Sequence, residues 1–273
     1  MNTARTSLLP CFPLLLSLSI SAAGGQPEPS PGDGGADLAK QLANPVANLI
    51  SLPMQSNFDF GIGLNDSMRY TLNVQPVIPF SLSDDWNLIT RTILPIIQAE
   101  SPAPGVDDAF GLGDTLQSLF LSPKEPVGRW VLGAGPALLY PTATDDLLGA
   151  GQWAAGPTVV ALQQKGPWTF GFLANHLVSY AGDDDRADLN ATFLNPFLSY
   201  ITSTKTTFTA SPELTYDWET HQWVAPVNLV VSQLLMLGKQ PIQLALGGRA
   251  YIDGPSGGPE WGLRFALVFL FPK

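Results

Sequence analysis

From about Ser51 onward, alternate residues of the chain separate into two faces. In KTTFTASPELTYDW, Phe208, Ala210, Pro212, Leu214, Tyr216 and Trp218 share one parity, and Thr207, Thr209, Ser211, Glu213, Thr215 and Asp217 the other. MRYTLNVQPVIPF sets Tyr70, Leu72, Val74, Pro76, Ile78 and Phe80 against Arg69, Thr71, Asn73 and Gln75. WTFGFLANHLVSY opposes Trp168, Phe170 and Phe172 to Thr169, Gly171 and Asn175, and KQPIQLALGGRAYI opposes Ile242, Leu244 and Leu246 to Gln243, Arg249 and Tyr251. A period of two belongs to a β-strand with one apolar face. About twelve segments of this kind follow one another: near 54 to 62, 68 to 79, 86 to 97, 111 to 121, 128 to 140, 151 to 163, 168 to 180, 189 to 201, 205 to 217, 223 to 235, 240 to 252 and 261 to 271. The third, fourth and eighth alternate poorly.

Ahead of Ser51 the period is different. Residues 36 to 50, ADLAKQLANPVANLI, place Leu38 and Leu42, then Val46, Leu49 and Ile50 at helical spacing, with Pro45 as a break or kink. The segment reads either as a cap docked on the domain or as a plug across a channel. Residues 24 to 35, GGQPEPSPGDGG, have no apolar face to bury and read as a flexible leader. Residues 1 to 23 carry Arg5, an apolar run from 8 to 20, and small residues at Ser21, Ala22 and Ala23, the pattern of a secretory signal cleaved after Ala23. A membrane anchor would need roughly 20 uninterrupted apolar residues, and Pro10 and Pro13 interrupt this run.

Composition narrows the chemistry. The single cysteine, Cys11, lies in the signal, so the mature chain is expected to use no disulfide, thiolate nucleophile or zinc-thiolate site. Of 13 basic residues Arg5 leaves with the signal, so 12 face 23 acidic ones and nucleic acid is excluded as a partner. Only 13% of residues are charged, while 26 Gly and 25 Pro supply many turns. No cofactor motif is present: GLGDT, LGAG and DGPSGG do not sit between a strand and a helix, as phosphate cradles do.

Alternation alone fits a soluble sandwich with its apolar face inward as well as a membrane barrel with that face outward. The aromatics favour the barrel. Tyr70, Trp86, Trp130, Tyr140, Trp153, Trp168, Tyr180, Tyr200, Trp218, Trp223, Tyr251 and Trp261 recur at segment ends, as the girdles of outer-membrane barrels do. The connections also sort. GLNDS, QAESPAPGVDDA, PTATDDLLGA, AGDDDRAD, ETHQ and DGPSGGPE fall on one side, and the shorter SLSDD, SPKEPV, QKG, TST and LGKQ on the other. Asp107, Asp108, Asp145, Asp146 and Asp183 to Asp185 mark the longer side, and Lys124, Lys165, Lys205 and Lys239 the shorter; Asp84 and Asp85 are the exception. The expected fold is all-β: a closed, antiparallel, up-and-down transmembrane β-barrel of about twelve strands over 51 to 273, with a short N-terminal helical segment.

Several long segments carry a resemblance: NPVANLISLPMQSNFDFGIG, YTLNVQPVIPFSLSDDWNLITRTILPII, GLGDTLQSLFLSP, GAGPALLYPTATDDLLGAGQWAAGPTVVAL, GPWTFGFLANHLVSYAGD and NATFLNPFLSY. Over about residues 40 to 273 they resemble a bacterial outer-membrane barrel family labelled only as transporter, or misleadingly as neuromedin U, and allied to the barrels named for the meta pathway of phenol degradation. The resemblance implies an outer-membrane location and a passive channel, without catalytic residues to carry over. Where the family pattern leads one to expect a basic residue before the Trp of GAGQWAAGP, this chain has Gln152.

By parity the lumen would be lined by Asn57, Asp59, Arg69, Asn73, Gln75, Arg91, Arg129, Asn175, Glu213, Asn228, Arg249 and Arg264. Opposite charges there either pair and narrow the bore or set up a transverse field that selects polar solutes. A metal centre is not expected, since His176 and His221 stand alone. His176 shares parity with Phe170 and Phe172 and is expected at the lipid head groups. An outer-membrane lipase would need a hydroxyl beside it, but Ser179, three residues on, falls on the opposite face. The expected function is a non-enzymatic channel for passive passage of small solutes, with a closed structural or surface-interaction barrel as the alternative. Its expected partners are outer-membrane lipid, lipopolysaccharide, and the barrel insertion machinery addressed by the last strand, LRFALVFLF.

Overall fold

The computed structural model describes residues 34 to 272; the signal and most of the leader lie outside the described residues. Sixteen hydrogen-bonded segments form one sheet, and four strands are each made of two successive segments, so the sheet has twelve strands. They are β1 (Ile50–Ile62), β2 (Ser67–Val74 and Val77–Ser81), β3 (Trp86–Ala99), β4 (Ala109–Leu112 and Thr115–Pro123), β5 (Val131–Tyr140) and β6 (Gln152–Lys165). They continue as β7 (Trp168–Gly182), β8 (Asn190–Ile201), β9 (Thr206–Pro212 and Leu214–Asp217), β10 (Gln222–Val224 and Pro226–Leu237), β11 (Gln240–Tyr251) and β12 (Trp261–Phe271). Each strand pairs antiparallel with its sequence neighbours. β12 pairs with β1 from Ile50↔Phe271 to Phe60↔Trp261, which closes the ring.

Closure answers the solvent. Hydrocarbon offers nothing to hydrogen-bond an exposed sheet edge, and a ring has none. Where proline interrupts the ladder, neighbouring groups compensate: at the break in β2, Gln75 N donates to Pro53 O at 2.9 Å and Thr92 N to Pro76 O at 3.1 Å. The outward face is apolar along its middle, with Phe170, Phe172, Leu198, Phe208, Leu229, Val231, Leu244, Leu246, Leu263 and Phe265 all exposed. Aromatics stand at both ends of it. Trp168 meets Tyr200 at 4.7 Å between ring centroids at one level, and Tyr140 meets Trp153 at 5.6 Å and Phe60 meets Trp261 at 4.5 Å at the other.

Ile50 and Phe271 lie at the same rim, together with the short turns, as on the periplasmic side of outer-membrane barrels, and that rim is called the periplasmic one below. The longer connections at the other rim hold one another. Asp114 accepts from Ala143 N at 3.1 Å and Ala150 N at 2.5 Å, and Arg186 donates to Asp146 O at 2.8 Å.

The helix α1 (Gly34–Gln41) begins the described chain, and residues 42 to 49 follow it into the lumen at the periplasmic end. The helix is shorter than the spacing of 36 to 50 predicts, because Asn44 turns the chain: its Oδ1 accepts from Val46 N at 2.9 Å. Leu42, Ala43, Ala47 and Leu49 pack on Val268 and Leu270 of β12, and Gln164 Nε2 of β6 donates to Lys40 O at 3.2 Å. Val46 crosses to the opposite wall and joins a buried cluster with Ile89, Ile93, Leu116, Phe120, Leu139, Val160, Leu162, Leu173, Leu177, Phe193 and Phe197. Gly133 makes that approach possible, since a Cβ there would stand 2.9 Å from Val46 Cγ1 and 2.9 Å from Val160 Cγ1.

The exterior therefore makes a testable demand. Phe265 is exposed near the middle of β12. Phe265→Arg is expected to destabilise the barrel by about 2 to 4 kcal/mol in bilayers, the cost of a basic residue at the midplane, read as a lower urea midpoint in vesicles. An unchanged midpoint would mean that this face does not meet lipid.

Candidate lumen site

Eleven of the twelve predicted lumen residues fall on or beside eight strands. Asn57 and Asp59 are on β1, Asn73 and Gln75 on or beside the first half of β2, Arg91 on β3, Asn175 on β7, Asn228 on β10, Arg249 on β11 and Arg264 on β12, and all are buried. Glu213 is buried at the break in β9, where its N–H leaves the usual ladder and donates to Pro226 O at 2.8 Å. Arg69, on β2, is half-buried. Arg129 is the correction: it is exposed in a turn with Gly128, between Val127 and Trp130, because β5 starts only at Val131.

Five of these residues form one chain of contacts. Arg264 grips Glu213 with both ends of its fork, Nη1 to Oε1 at 2.7 Å and Nη2 to Oε2 at 3.0 Å, while its Nε donates to Asn57 Oδ1 at 2.8 Å. Arg249 Nη2 lies 3.5 Å from Glu213 Oε2, and its Nη1 lies 3.4 Å from Asp59 Oδ1. Asp59 Oδ1 also accepts from the Tyr251 hydroxyl at 2.9 Å. The chain ties β9 to β11, β12 and β1, so it works as a brace between the strands that close the ring. A bidentate arginine–carboxylate pair is the geometry in which buried charges attract best.

The remaining members stand apart. Arg91 Nη2 donates to Gln75 Oε1 at 2.6 Å, nearer the periplasmic segment. Asn228 Nδ2 donates to Ser211 O at 2.8 Å, and Asn175 lies on a strand whose other inward residues include Leu173 and Leu177. Tyr251 was grouped by position with the girdle aromatics, yet its hydroxyl turns inward to Asp59. Its parity with Arg249 is the signal that identifies it. Parity also marks Gln55, 1% exposed, as an inward residue of β1.

The lumen is thus divided. The large apolar cluster lies against the wall from β3 to β8, which also buries Arg91, Asn175 and Asn195, whereas β1 and β9 to β12 carry the buried charges of the brace and β2 the polar Thr71 and Asn73. Among the buried residues the charged ones are Asp59, Arg91, Glu213, Arg249 and Arg264, and half-buried Arg69 adds a fourth guanidinium against two carboxylates. Two narrow cavities, about 20 and about 40 Å³, lie beside Asn44 and Arg91 and beside Gln55 and Arg264. Each has room for one or a few waters and nothing larger.

On the exterior, His176 Nδ1 lies 2.9 Å from Thr192 Oγ1, which also accepts from Trp218 Nε1 at 2.8 Å. Ser179 is turned away: its hydroxyl donates to Asp188 Oδ1 at 3.1 Å and accepts from Leu189 N at 3.0 Å. Among the described residues no group of three or more His, Cys, Asp or Glu side chains is arranged to hold a metal ion.

No family model and no curated protein sequence matches the chain. Solved structures do. The COG4313 outer membrane channel from Pseudomonas putida F1 superposes with a TM-score of 0.63 at 17% identity, over 89% of this chain and 100% of that one. The NanC porin superposes with a TM-score of 0.51 at 12% identity, over 80% of this chain and 98% of that one. The architecture shared with these two structures is a closed antiparallel β-barrel, here with an apolar belt and aromatic girdles on its outer face.

The brace predicts a large asymmetry. Glu213→Gln takes the carboxylate from two buried guanidiniums and is expected to cost about 3 to 5 kcal/mol, whereas replacing Asp59, Glu213, Arg249 and Arg264 together by apolar residues of similar volume is expected to restore most of that loss. Urea midpoints in vesicles report both. Equal stability of wild type and Glu213→Gln would mean that the brace does not hold the wall.

Proposed function

We propose that the protein is a passive outer-membrane channel for small anionic solutes, allied to the transporter barrels that its segments resemble, and held closed in this conformation by residues 34 to 49. One observation carries the reading: four guanidiniums face two carboxylates along one wall of the lumen. A ring of basic side chains at close quarters favours anions. The same wall continues from Arg69 at the extracellular end of β2, through Thr71, Asn73 and Gln75, to Arg91 beside the cavity that residues 41 to 49 border. Removing that segment would open the lower end of this path.

A closed structural barrel is the second reading, and the narrowness of the two cavities favours it. In either case we read the exposed outer face as the contact with lipid and lipopolysaccharide, and the final strand as the address offered to the insertion machinery.

Planar-bilayer recording separates the two. The variant lacking residues 34 to 49 is expected to give larger and steadier conductance than the full chain, with a reversal potential in a KCl gradient that reports preference for chloride. Arg69→Gln combined with Arg91→Gln is expected to weaken that preference. Absence of conductance in both forms would sink the channel and leave the closed barrel standing.

A further inference from the structure

The extracellular half of the polar wall has more hydrogen-bonding capacity than the protein uses. Asp59 Oδ2, Arg69 Nε, Arg249 Nε and Arg249 Nη1 are all buried and have no hydrogen-bond partner. Asp59 and Arg249 are 1% and 3% exposed. Asp59 and Arg69 face each other across β1 and β2, and Arg249 Nη1 lies 3.4 Å from the other oxygen of Asp59. The cluster is held in place from outside itself. Glu213 keeps the far nitrogen of Arg249 at 3.5 Å, the Tyr251 ring lies 5.4 Å from the guanidinium carbon, and the Tyr251 hydroxyl fixes Asp59 Oδ1. A guest would share Arg249 Nη1 with Asp59 and leave the grip of Arg264 on Glu213 in place.

The four atoms are of two kinds. Three are guanidinium N–H donors, which call for the oxygens of an anion, and one is a carboxylate oxygen, which calls for a donor. Chloride or acetate satisfies only the first kind. A carboxylate with a hydroxyl or ammonium group on the neighbouring carbon satisfies both within the span of one small molecule. We propose that Asp59, Arg69 and Arg249 form a binding subsite for small 2-hydroxy and 2-amino carboxylates, with the two arginines taking the carboxylate and Asp59 Oδ2 the adjacent donor. The proposal rests on the channel reading for its route of access and refines the solute class.

Binding and transport test it separately. Calorimetric titration of the full chain in detergent is expected to give glycolate about tenfold tighter than acetate, the worth of one added hydrogen bond. Asp59→Ala is expected to bring glycolate down to the level of acetate, and Arg69→Gln to weaken both; heat-modifiable migration on gels checks that each variant is folded. Equal binding of the two acids by the full chain would overturn the subsite. So would a glycolate preference that survives both substitutions. Swelling of proteoliposomes in glycolate, glycine and acetate then isolates the channel reading: permeation without preference removes the subsite and leaves the channel, while selective binding without permeation, with or without residues 34 to 49, supports the subsite and removes the channel.

Discussion

A ring of strands in lipid has a bore that its strand number fixes, and the rest of this molecule follows from how that bore is occupied. Eight strands enclose about what their own side chains fill, and sixteen leave an aqueous channel. Twelve leave a space too wide for one layer of side chains and too narrow for bulk water. This chain fills the excess with residues 42 to 49, which reach from the wall of β12 to the wall of β4 and β6 through Val46.

The two halves of the interior use different physics. From β3 to β8 the inward residues pack as an ordinary apolar core, so that part of the wall is stabilised on both faces, by lipid outside and by Phe120, Phe193 and their neighbours inside. From β9 round to β2 many inward residues are polar, and the desolvation of the charged ones among them is offset by the pairing of Arg264 and Arg249 with Glu213 and Asp59. Rigidity in the first half and pairing in the second meet at β12 and β1, where the first and last strands are joined.

Much of this was legible in the sequence. All twelve strands stand where the alternation placed them, because a lipid-facing surface imposes a period of two as strictly as a core does. The segments that alternate poorly are informative in retrospect. β3, β4 and β8 put Ile89 and Ile93, Leu116 and Phe120, and Phe193 and Phe197 inside, so both faces are apolar and the period is hidden. A rule that assigns polar residues to the lumen cannot see such a wall. Arg129 was misplaced because the strand was taken to start three residues before its first ladder pair, and in a turn parity has no meaning. The brace itself was invisible: parity puts Glu213 and Arg264 on the same face but says nothing of their meeting across intervening strands.

The order of elements gives the filling segment its place. It lies immediately before β1 and is joined to it at Ile50, whose partner on the other side is Phe271 near the end of β12. The seam of the ring therefore lies beside the root of the segment. Because Ile50 continues that segment directly into β1, the filling of the lower bore is covalently part of the wall it packs against.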